Sequence, residues 1–177
     1  MNSKMLRPSR HDHFFNRAKV VAEMSTCLRR KVGAIIVNKY GVQVSSGYSG
    51  APRNSEHCSD IGKCLRTELG IATGQRYELC RSVHAEQNAI INAARRGAKI
   101  FEGKMYISSQ RIKGYYEGEK KKIYGPCIIC KKEIINAGLT KVHMREIGVG
   151  SETYELETIK KLLKEEEKQY RKDFGKA

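Results

Sequence analysis

Residues 83–96 read VHAEQNAIINAARR, and residues 126–137 read PCIICKKEIINA. Both stretches place apolar residues at helical spacing, and each is followed by a glycine, so both are predicted to be helices. Pro126 is expected in the first turn of the second helix, where the N–H that proline lacks would have no partner. A strand is predicted between them at residues 104–108 (KMYIS). Helices alternating with strands favour a layered α/β fold.

Each of these helices begins with side chains that can bind a metal ion. Cys127 and Cys130 are three residues apart, so their thiols lie on one face, and the positive end of the helix dipole favours thiolate. His84 adds an imidazole at the start of the other helix. One imidazole and two thiolates are the ligands of a catalytic zinc whose fourth position is left for water.

Glu86 follows the histidine by two residues and therefore lies on a different side of the helix. This placement suits a proton carrier better than a fourth ligand. A lone C-x-x-C could be a redox pair, and a lone H-x-E could be ordinary helix surface. Their combination, H-x-E followed by P-C-x-x-C, is the signature of zinc deaminases, in which the glutamate takes the water proton, passes it to the ring nitrogen, and later protonates the departing ammonia.

The other segments complete the predicted architecture. The short connection before the last strand predicts that this strand runs antiparallel to its neighbour. We expect one domain over residues 1–177, with a cysteine-rich loop at 47–81. The remaining predicted elements are a helix at 14–27, strands at 32–37, 42–44, 141–145 and 154–157, a hairpin turn at 39–41, and a C-terminal helix from about 159.

Composition limits the environment and the ligands of the chain. Thirty-four basic and 19 acidic residues give a formal charge of +15, which attracts anionic ligands such as nucleotides or nucleic acid. The basic residues include a run at 29–31 and a segment at 110–124. No apolar run approaches the ~20 residues of a membrane span, and no secretory signal is evident. We therefore expect a cytoplasmic protein without a membrane partner, in which cysteines bind metal more readily than they form disulfides.

The stretches GYSGAPRNSEHC, CRSVHAEQNAIINAARRG and PCIICKKEIINAG resemble the deoxycytidylate deaminases over about residues 27–141. The resemblance implies a cytidine-deaminase-like, three-layer α/β/α fold with a central mixed sheet of about five strands. It also implies hydrolysis of deoxycytidine monophosphate (dCMP) to deoxyuridine monophosphate (dUMP) for thymidylate synthesis. The backbone N–H of Ala85 would meet the pyrimidine carbonyl, and Tyr48 and Ser49 would lie near the nucleotide. Position 49 departs from the family, which usually has Asn there. Members are often homo-oligomers under allosteric control by deoxynucleoside triphosphates.

Four further cysteines lie outside this signature. Some deoxycytidylate deaminases carry a second, structural zinc with ligands in the positions of Cys27 and Cys58. Cys64 and Cys80 are the other two cysteines left over, and they are the candidates to complete such a site. Four thiolates would close a tetrahedral site and hold the long loop. His57 could replace one of the cysteines. The alternative is that these are ordinary buried or idle thiols.

Two other functions use the same residues. One is a nucleic-acid deaminase acting on adenosine in transfer RNA, which the positive charge would help to bind. The other is a non-catalytic binding protein in which zinc only stabilises the fold. The G-Y-x-G-x-P loop favours free nucleotides over RNA, and Glu86 has no purpose in a purely structural site.

Overall fold

The computed structural model describes residues 7–115, 123 and 125–174. No helix in this described part is both long and apolar enough to cross a membrane. The strands are β1 (Arg30–Val37), β2 (Gln43–Tyr48), β3 (Lys104–Arg111), β4 (Lys141–Glu146) and β5 (Gly150–Glu155). The helices are α1 (Arg10–Glu23), α2 (Cys58–Ile61), α3 (Leu65–Glu68), α4 (Ala85–Arg95), α5 (Ile128–Asn136) and α6 (Leu156–Phe174).

The five strands form one mixed sheet in the order β2-β1-β3-β4-β5. Only β3 and β4 pair in parallel; β1 pairs antiparallel with both of its neighbours, and β5 runs antiparallel to β4. The predicted three-layer α/β/α fold with a mixed sheet is confirmed, and so are the hairpin and the antiparallel last strand. The parallel pair brings the ends of β3 and β4 to the same edge of the sheet.

Side chains alternate across β1 and bury both faces of the sheet. Ile35 and Val37 pack with Phe14, Phe15 and Tyr106 under α1. Their neighbours Ala34 and Ile36 belong to the larger core on the opposite face, which includes residues of α4, α5 and α6. This larger core supports the two helices that begin with the predicted metal ligands.

A close approach at Gly47 sets the position of α4 against β2. A Cβ at Gly47 would lie 2.3 Å from the backbone nitrogen of Ala89, so only glycine allows this separation. Polar side chains then fasten the two elements: Asn88 donates to the carbonyl of Tyr48 at 2.8 Å, and Asn92 to that of Ser46 at 2.9 Å.

Several predicted boundaries are wrong. Helix α1 begins at Arg10, because Ser9 is its N-cap and accepts a hydrogen bond from the N–H of Asp12. The helix ends at Glu23, before Cys27. Pro126 precedes α5 rather than lying in its first turn, because Cys127 is the N-cap. Strand β5 starts four residues earlier than predicted, and α6 starts three residues earlier.

The predicted loop at 47–81 is also only partly a loop. Its first two residues belong to β2, and it contains α2, α3 and a 3-10 turn at Tyr77–Leu79. Each of these helical pieces is too short to produce a periodic pattern. Most of the predicted basic segment at 110–124 lies outside the described residues.

Candidate active site

The starts of α4 and α5 bring three predicted ligands together. The Nδ1 atom of His84 lies 3.3 Å from Sγ of Cys127 and 3.4 Å from Sγ of Cys130. A tetrahedral zinc with ordinary Zn–N and Zn–S bonds holds such atoms roughly 3.5 Å apart. Among the described residues, these three form the one group whose ligand atoms are close enough to share a metal ion. We call this group the metal cluster, and its spacing and donor set fit zinc.

Without a metal ion, the protons are shared unevenly among the three ligands of the metal cluster. A hydrogen bond with Cys130, opposed by burial and aided by His84, lowers the pKa of Cys127 to about 4. Burial would lower the pKa of His84, but hydrogen bonds with Cys127 and Cys80 outweigh it and raise that pKa to about 11. The pKa of Cys130 is raised, first by its hydrogen bond with Cys127 and then by burial. The chain therefore holds at least one thiolate that is ready for a cation.

Glu86 is buried beside the metal cluster, with 7% of its surface exposed. Burial raises the pKa of its carboxyl above the ordinary value, although the nearby charge of His84 opposes this shift. A carboxyl with a raised pKa takes up a proton more readily than an ordinary carboxyl, which suits a general acid and base.

Gln87 connects the two helices that carry the cluster. Its Oε1 accepts from the backbone N–H of His84 at 3.0 Å, and its Nε2 donates to Glu133 of α5 at 2.8 Å. These bonds fix the start of α4 relative to α5, so the imidazole and the thiols keep their spacing without depending on a loop.

A cavity of about 730 Å³ opens onto this cluster. His84, Glu86 and Cys127 line it, and so do all four of the other cysteines. Four arginines also contribute to its wall: Arg29, Arg30, Arg66 and Arg81. The cavity thus combines metal ligands, a buried carboxyl and guanidinium groups, which suits an anionic organic ligand.

Two of these arginines are held in place by polar contacts. Arg30 donates to Ser109 at 3.0 Å and pairs with Glu146, which is 2% exposed at the end of β4. Arg29 donates to Thr73 at 3.2 Å. The network places guanidinium groups where the parallel strands end, beside the cavity.

The segment between β2 and His84, residues 49–83, forms the opposite wall; we call it the cysteine-rich segment. Burial raises the pKa of Cys58, and the nearby thiols of Cys27, Cys64 and Cys80 raise it further. These four thiols are therefore neighbours, but within the described residues they do not converge into a second group like the metal cluster.

Tyr77 in the same segment contacts the cluster. Its ring meets the His84 ring edge-on with centroids 5.2 Å apart, and the guanidinium of Arg66 lies 4.8 Å from the Tyr77 centroid. Arg66 donates to the carbonyls of Ala72 (3.1 Å) and Gln75 (2.6 Å). These contacts order the segment around the histidine.

One of the three predicted substrate contacts lines the cavity, and the other two do not. Ser49 is buried and lines the cavity, whereas Tyr48 and Ala85 are not among its lining residues. Ala85 is the first residue of α4, so its N–H has no acceptor within the helix. His57 uses its Nδ1 in contacts with the Ala51 N–H (3.2 Å) and the Thr26 hydroxyl (3.1 Å), which leaves only Nε2 for a metal.

The sequence predictions did not include Tyr77, Arg66 or an ion pair in which the Lys131 side chain is 6% exposed and the Glu166 side chain is 41% exposed. The pair had one signal in the sequence: Lys131 follows Cys127 by four residues and so shares its helix face. The position of Glu166 over that face depends on the path of α6, which no local pattern reveals.

The chain is similar in sequence to known deaminases. Its residues 8–146 match the family model described as the cytidine and deoxycytidylate deaminase zinc-binding region. The deoxycytidylate deaminase of Schizosaccharomyces pombe is 28% identical over 145 residues, covering 80% of this chain and 38% of that protein. ComE operon protein 2 of Bacillus subtilis is 31% identical over 142 residues, covering 80% of this chain and 62% of that protein. The chain thus spans less than two thirds of the length of these curated relatives.

Solved structures show the same fold. The dCMP deaminase of cyanophage S-TIM5, in complex with dCMP and dUMP, superposes with a TM-score of 0.58 at 24% identity, covering 89% of this chain and 94% of that one. A cytidine deaminase from Burkholderia pseudomallei gives a TM-score of 0.56 at 15% identity, covering 84% and 94%. Fold, metal cluster and family match agree: the chain belongs to the cytidine and deoxycytidylate deaminases that share this zinc-binding region.

Proposed function

We propose that the chain catalyses the zinc-dependent hydrolytic deamination of deoxycytidine monophosphate, in which the nucleotide and water give deoxyuridine monophosphate and ammonia. The observation that carries the proposal is the meeting of His84 Nδ1 with the thiols of Cys127 and Cys130 beside the buried carboxyl of Glu86. The proposal treats residues 1–177 as one deaminase domain.

In this proposal His84, Cys127 and Cys130 hold the zinc. When bound, zinc supplies Lewis-acid activation of a water molecule near neutral pH. Glu86 accepts one proton from the attacking water and delivers it to the ring nitrogen. It then takes the second proton of that water, which is now on the hydroxyl of the tetrahedral carbon, and gives it to the departing amine as the carbonyl forms. Its burial supports this role, because an unsolvated carboxyl changes its protonation state at a pH closer to neutrality.

The choice of a nucleotide rests on the cavity and on the relatives. The four arginines in its wall favour a phosphorylated ligand over a neutral nucleoside. The yeast relative is a deoxycytidylate deaminase by name, and the cyanophage structure contains dCMP and dUMP. In the active complex we expect Ser49 and Tyr48 near the nucleotide and the Ala85 N–H on the pyrimidine carbonyl.

A second zinc is the structural part of the proposal. Cys27, Cys58, Cys64 and Cys80 are neighbours along one cavity wall, and four thiolates complete a closed zinc site. Burial would raise the pKa of the Cys80 thiol, but the neighbouring His84 outweighs this and lowers it. This site would connect the cysteine-rich segment to the metal cluster. Homo-oligomerisation, deoxynucleoside triphosphate effectors and a cytoplasmic location remain predictions.

The test is a substrate panel with zinc counted per chain. Ultraviolet absorbance should show turnover of deoxycytidine monophosphate, with lower kcat/KM for the di- and triphosphates and for the ribonucleotide. Two zinc ions per chain are expected when both sites are filled. Activity on a transfer RNA anticodon stem alone would favour the nucleic-acid alternative, and inertness on every cytosine nucleotide would favour the binding-protein alternative.

A further inference from the structure

The start of α4 fixes the backbone of His84 but not the orientation of its imidazole. His84 is the N-cap of this helix, and its backbone N–H donates to Oε1 of Gln87 at 3.0 Å. Its side chain is half-buried in the cavity wall and can rotate about two bonds, which would turn Nδ1 away from the thiols. Metal binding then costs the freedom of this ring unless another group already holds it.

The ring of Tyr77 meets the imidazole from the cysteine-rich segment. The two ring centroids are 5.2 Å apart, and the angle between the ring planes is 80°. Aromatic pairs with this edge-to-face geometry attract each other beyond the effect of the area that they bury. Both rings line the cavity, so the contact lies at the metal cluster itself and restricts the rotation of the His84 side chain.

Tyr77 is in turn held by a buried arginine and by its backbone. The guanidinium of Arg66 lies 4.8 Å from the centroid of the Tyr77 ring. Arg66 is 7% exposed and is tied by hydrogen bonds to the carbonyls of Ala72 and Gln75. Arg76, directly before the tyrosine, has a φ of +48°, a conformation that persists in a residue other than glycine only where the surrounding structure imposes it. The chain itself therefore fixes the position of the Tyr77 ring.

We propose that Tyr77 is a positioning residue for the metal cluster: its ring, held by Arg66, keeps Nδ1 of His84 turned towards the two thiols. This inference rests on the zinc site of the proposed function. Both contacts are made by the ring of Tyr77 rather than by its hydroxyl, so phenylalanine should replace the tyrosine and an aliphatic residue should not. Loss of a group that orients a ligating histidine weakens metal binding by about 10- to 100-fold. We expect the lower end, because a ring contact is weaker than a hydrogen bond to the imidazole.

The test measures zinc affinity at each thiol without any nucleotide. The zinc-loaded full chain is equilibrated with chelator buffers of decreasing free zinc and then alkylated. Mass spectrometry of the peptides reports Cys127 and Cys130 separately from Cys58 and Cys80. In Tyr77→Leu, the free zinc concentration at which Cys127 and Cys130 are half-alkylated should rise about tenfold. In Tyr77→Phe it should stay within about twofold of the wild type.

Two further variants control for the loss of a tyrosine and for folding. Tyr40→Leu is the matched control, because Tyr40 also has a cation near its ring, with Nζ of Lys39 at 5.7 Å, but is 78% exposed in the turn between β1 and β2. It should leave the zinc affinity unchanged. Tyr77→Met fills the space of the ring with a flexible chain, and it decides the question if Tyr77→Leu lowers the unfolding midpoint; it should show the same rise of about tenfold.

Three results would overturn the inference. Equal losses in Tyr77→Phe and Tyr77→Leu would assign the effect to the hydroxyl. Reactive thiols at Cys58 and Cys80, with unchanged zinc affinity at Cys127 and Cys130, would show that Tyr77 orders only its own segment. Unchanged affinity in every variant would show that the ring contact holds nothing. Turnover is measured separately, so a wild type that binds zinc but converts no cytosine nucleotide refutes the proposed reaction, while the affinities still decide the role of Tyr77.

Discussion

The metal cluster and the cysteine-rich segment contain the same kinds of ligand but are held in different ways. His84, Cys127 and Cys130 are fixed by the starts of two helices that pack on the main core. In the cysteine-rich segment, Ile61, Leu65 and Leu69 are 39%, 49% and 57% exposed, so little apolar burial stabilises it. A catalytic site requires ligands that are preorganised by the fold, whereas a structural site can supply the order that its segment lacks.

The largest effect is expected from removing a ligand of the metal cluster. Cys127→Ala should abolish the catalytic zinc and reduce turnover by at least about 10⁴-fold, because most of an enzymatic acceleration of about 10⁶-fold or more depends on the activated nucleophile. Since helix packing rather than the metal holds α4 and α5, the fold should persist. Zinc analysis, turnover and circular dichroism measure the three outcomes; unfolding of the whole chain would contradict this view of the framework.

The matching substitution in the cysteine-rich segment should give the opposite pattern. Cys58→Ala should remove one zinc ion per chain, keep turnover within about tenfold, and lower the unfolding midpoint by about 5–10 °C, since bound metal stabilises only the folded state. Limited proteolysis should then cut within residues 49–83. Unchanged zinc content would show that Cys58 is not a ligand.

Two glycines extend the same comparison to the backbone. Gly47→Ala should destabilise the fold by about 3 kcal/mol, because the added methyl group would meet the backbone of α4 at 2.3 Å. Gly74 in the cysteine-rich segment has open space within 4 Å and a φ of +92°, so Gly74→Ala should cost only about 1 kcal/mol of left-handed strain. Urea unfolding compares them; equal costs would contradict the tight contact between β2 and α4.

The smallest effect concerns the sheet face away from the cavity. Burial lowers the pKa of His143 to about 4, while its Nδ1 bonds the Thr153 hydroxyl at 2.8 Å and its ring stacks on Tyr106. In the unfolded chain the imidazole of His143 takes up a proton near pH 6.5, whereas in the folded protein it does so only near pH 4. The contribution of neutral His143 to the free energy of unfolding is therefore complete above about pH 6.5 and is lost as the pH falls from about 6.5 to 4. The loss should reach about 1–2 kcal/mol by pH ~5.

The variant His143→Gln provides the measurement for this pH effect. Its stability should fall less steeply than that of the wild type between pH 7 and 4.5, as judged by urea unfolding at each pH. Taking the difference between the two proteins cancels the titration of the metal ligands, which both share. Parallel pH curves would show that His143 does not carry the effect.

The sequence predicts the framework because its signals are local. Apolar periodicity and following glycines locate α4 and α5, and ligands at their first residues are brought together wherever the two helices pack on one sheet. Strand β5 (GSETYE) is exposed and has no apolar alternation, so its start at Gly150 was missed. The predicted start of α5 at Pro126 is two residues too early, because a cysteine N-cap gives no pattern of its own.

Tertiary contacts account for what the sequence could not reveal. Glu166 and Lys131 are 35 residues apart, and Tyr77 meets His84 only because Arg66 and short helical turns order the segment between them. Likewise, nothing local shows that the four further thiols line the same cavity as the metal cluster. These residues join the site through the path of the chain rather than through spacing.

The most direct measurement is zinc content and turnover of Glu86→Gln beside the wild type. Glutamine keeps the size of the side chain and contributes no metal ligand, but it cannot carry a proton. Zinc per chain should stay unchanged, and the turnover of deoxycytidine monophosphate should fall about 10²- to 10⁴-fold. A variant that deaminates at the wild-type rate, with its zinc in place, would contradict the role of Glu86 as proton carrier.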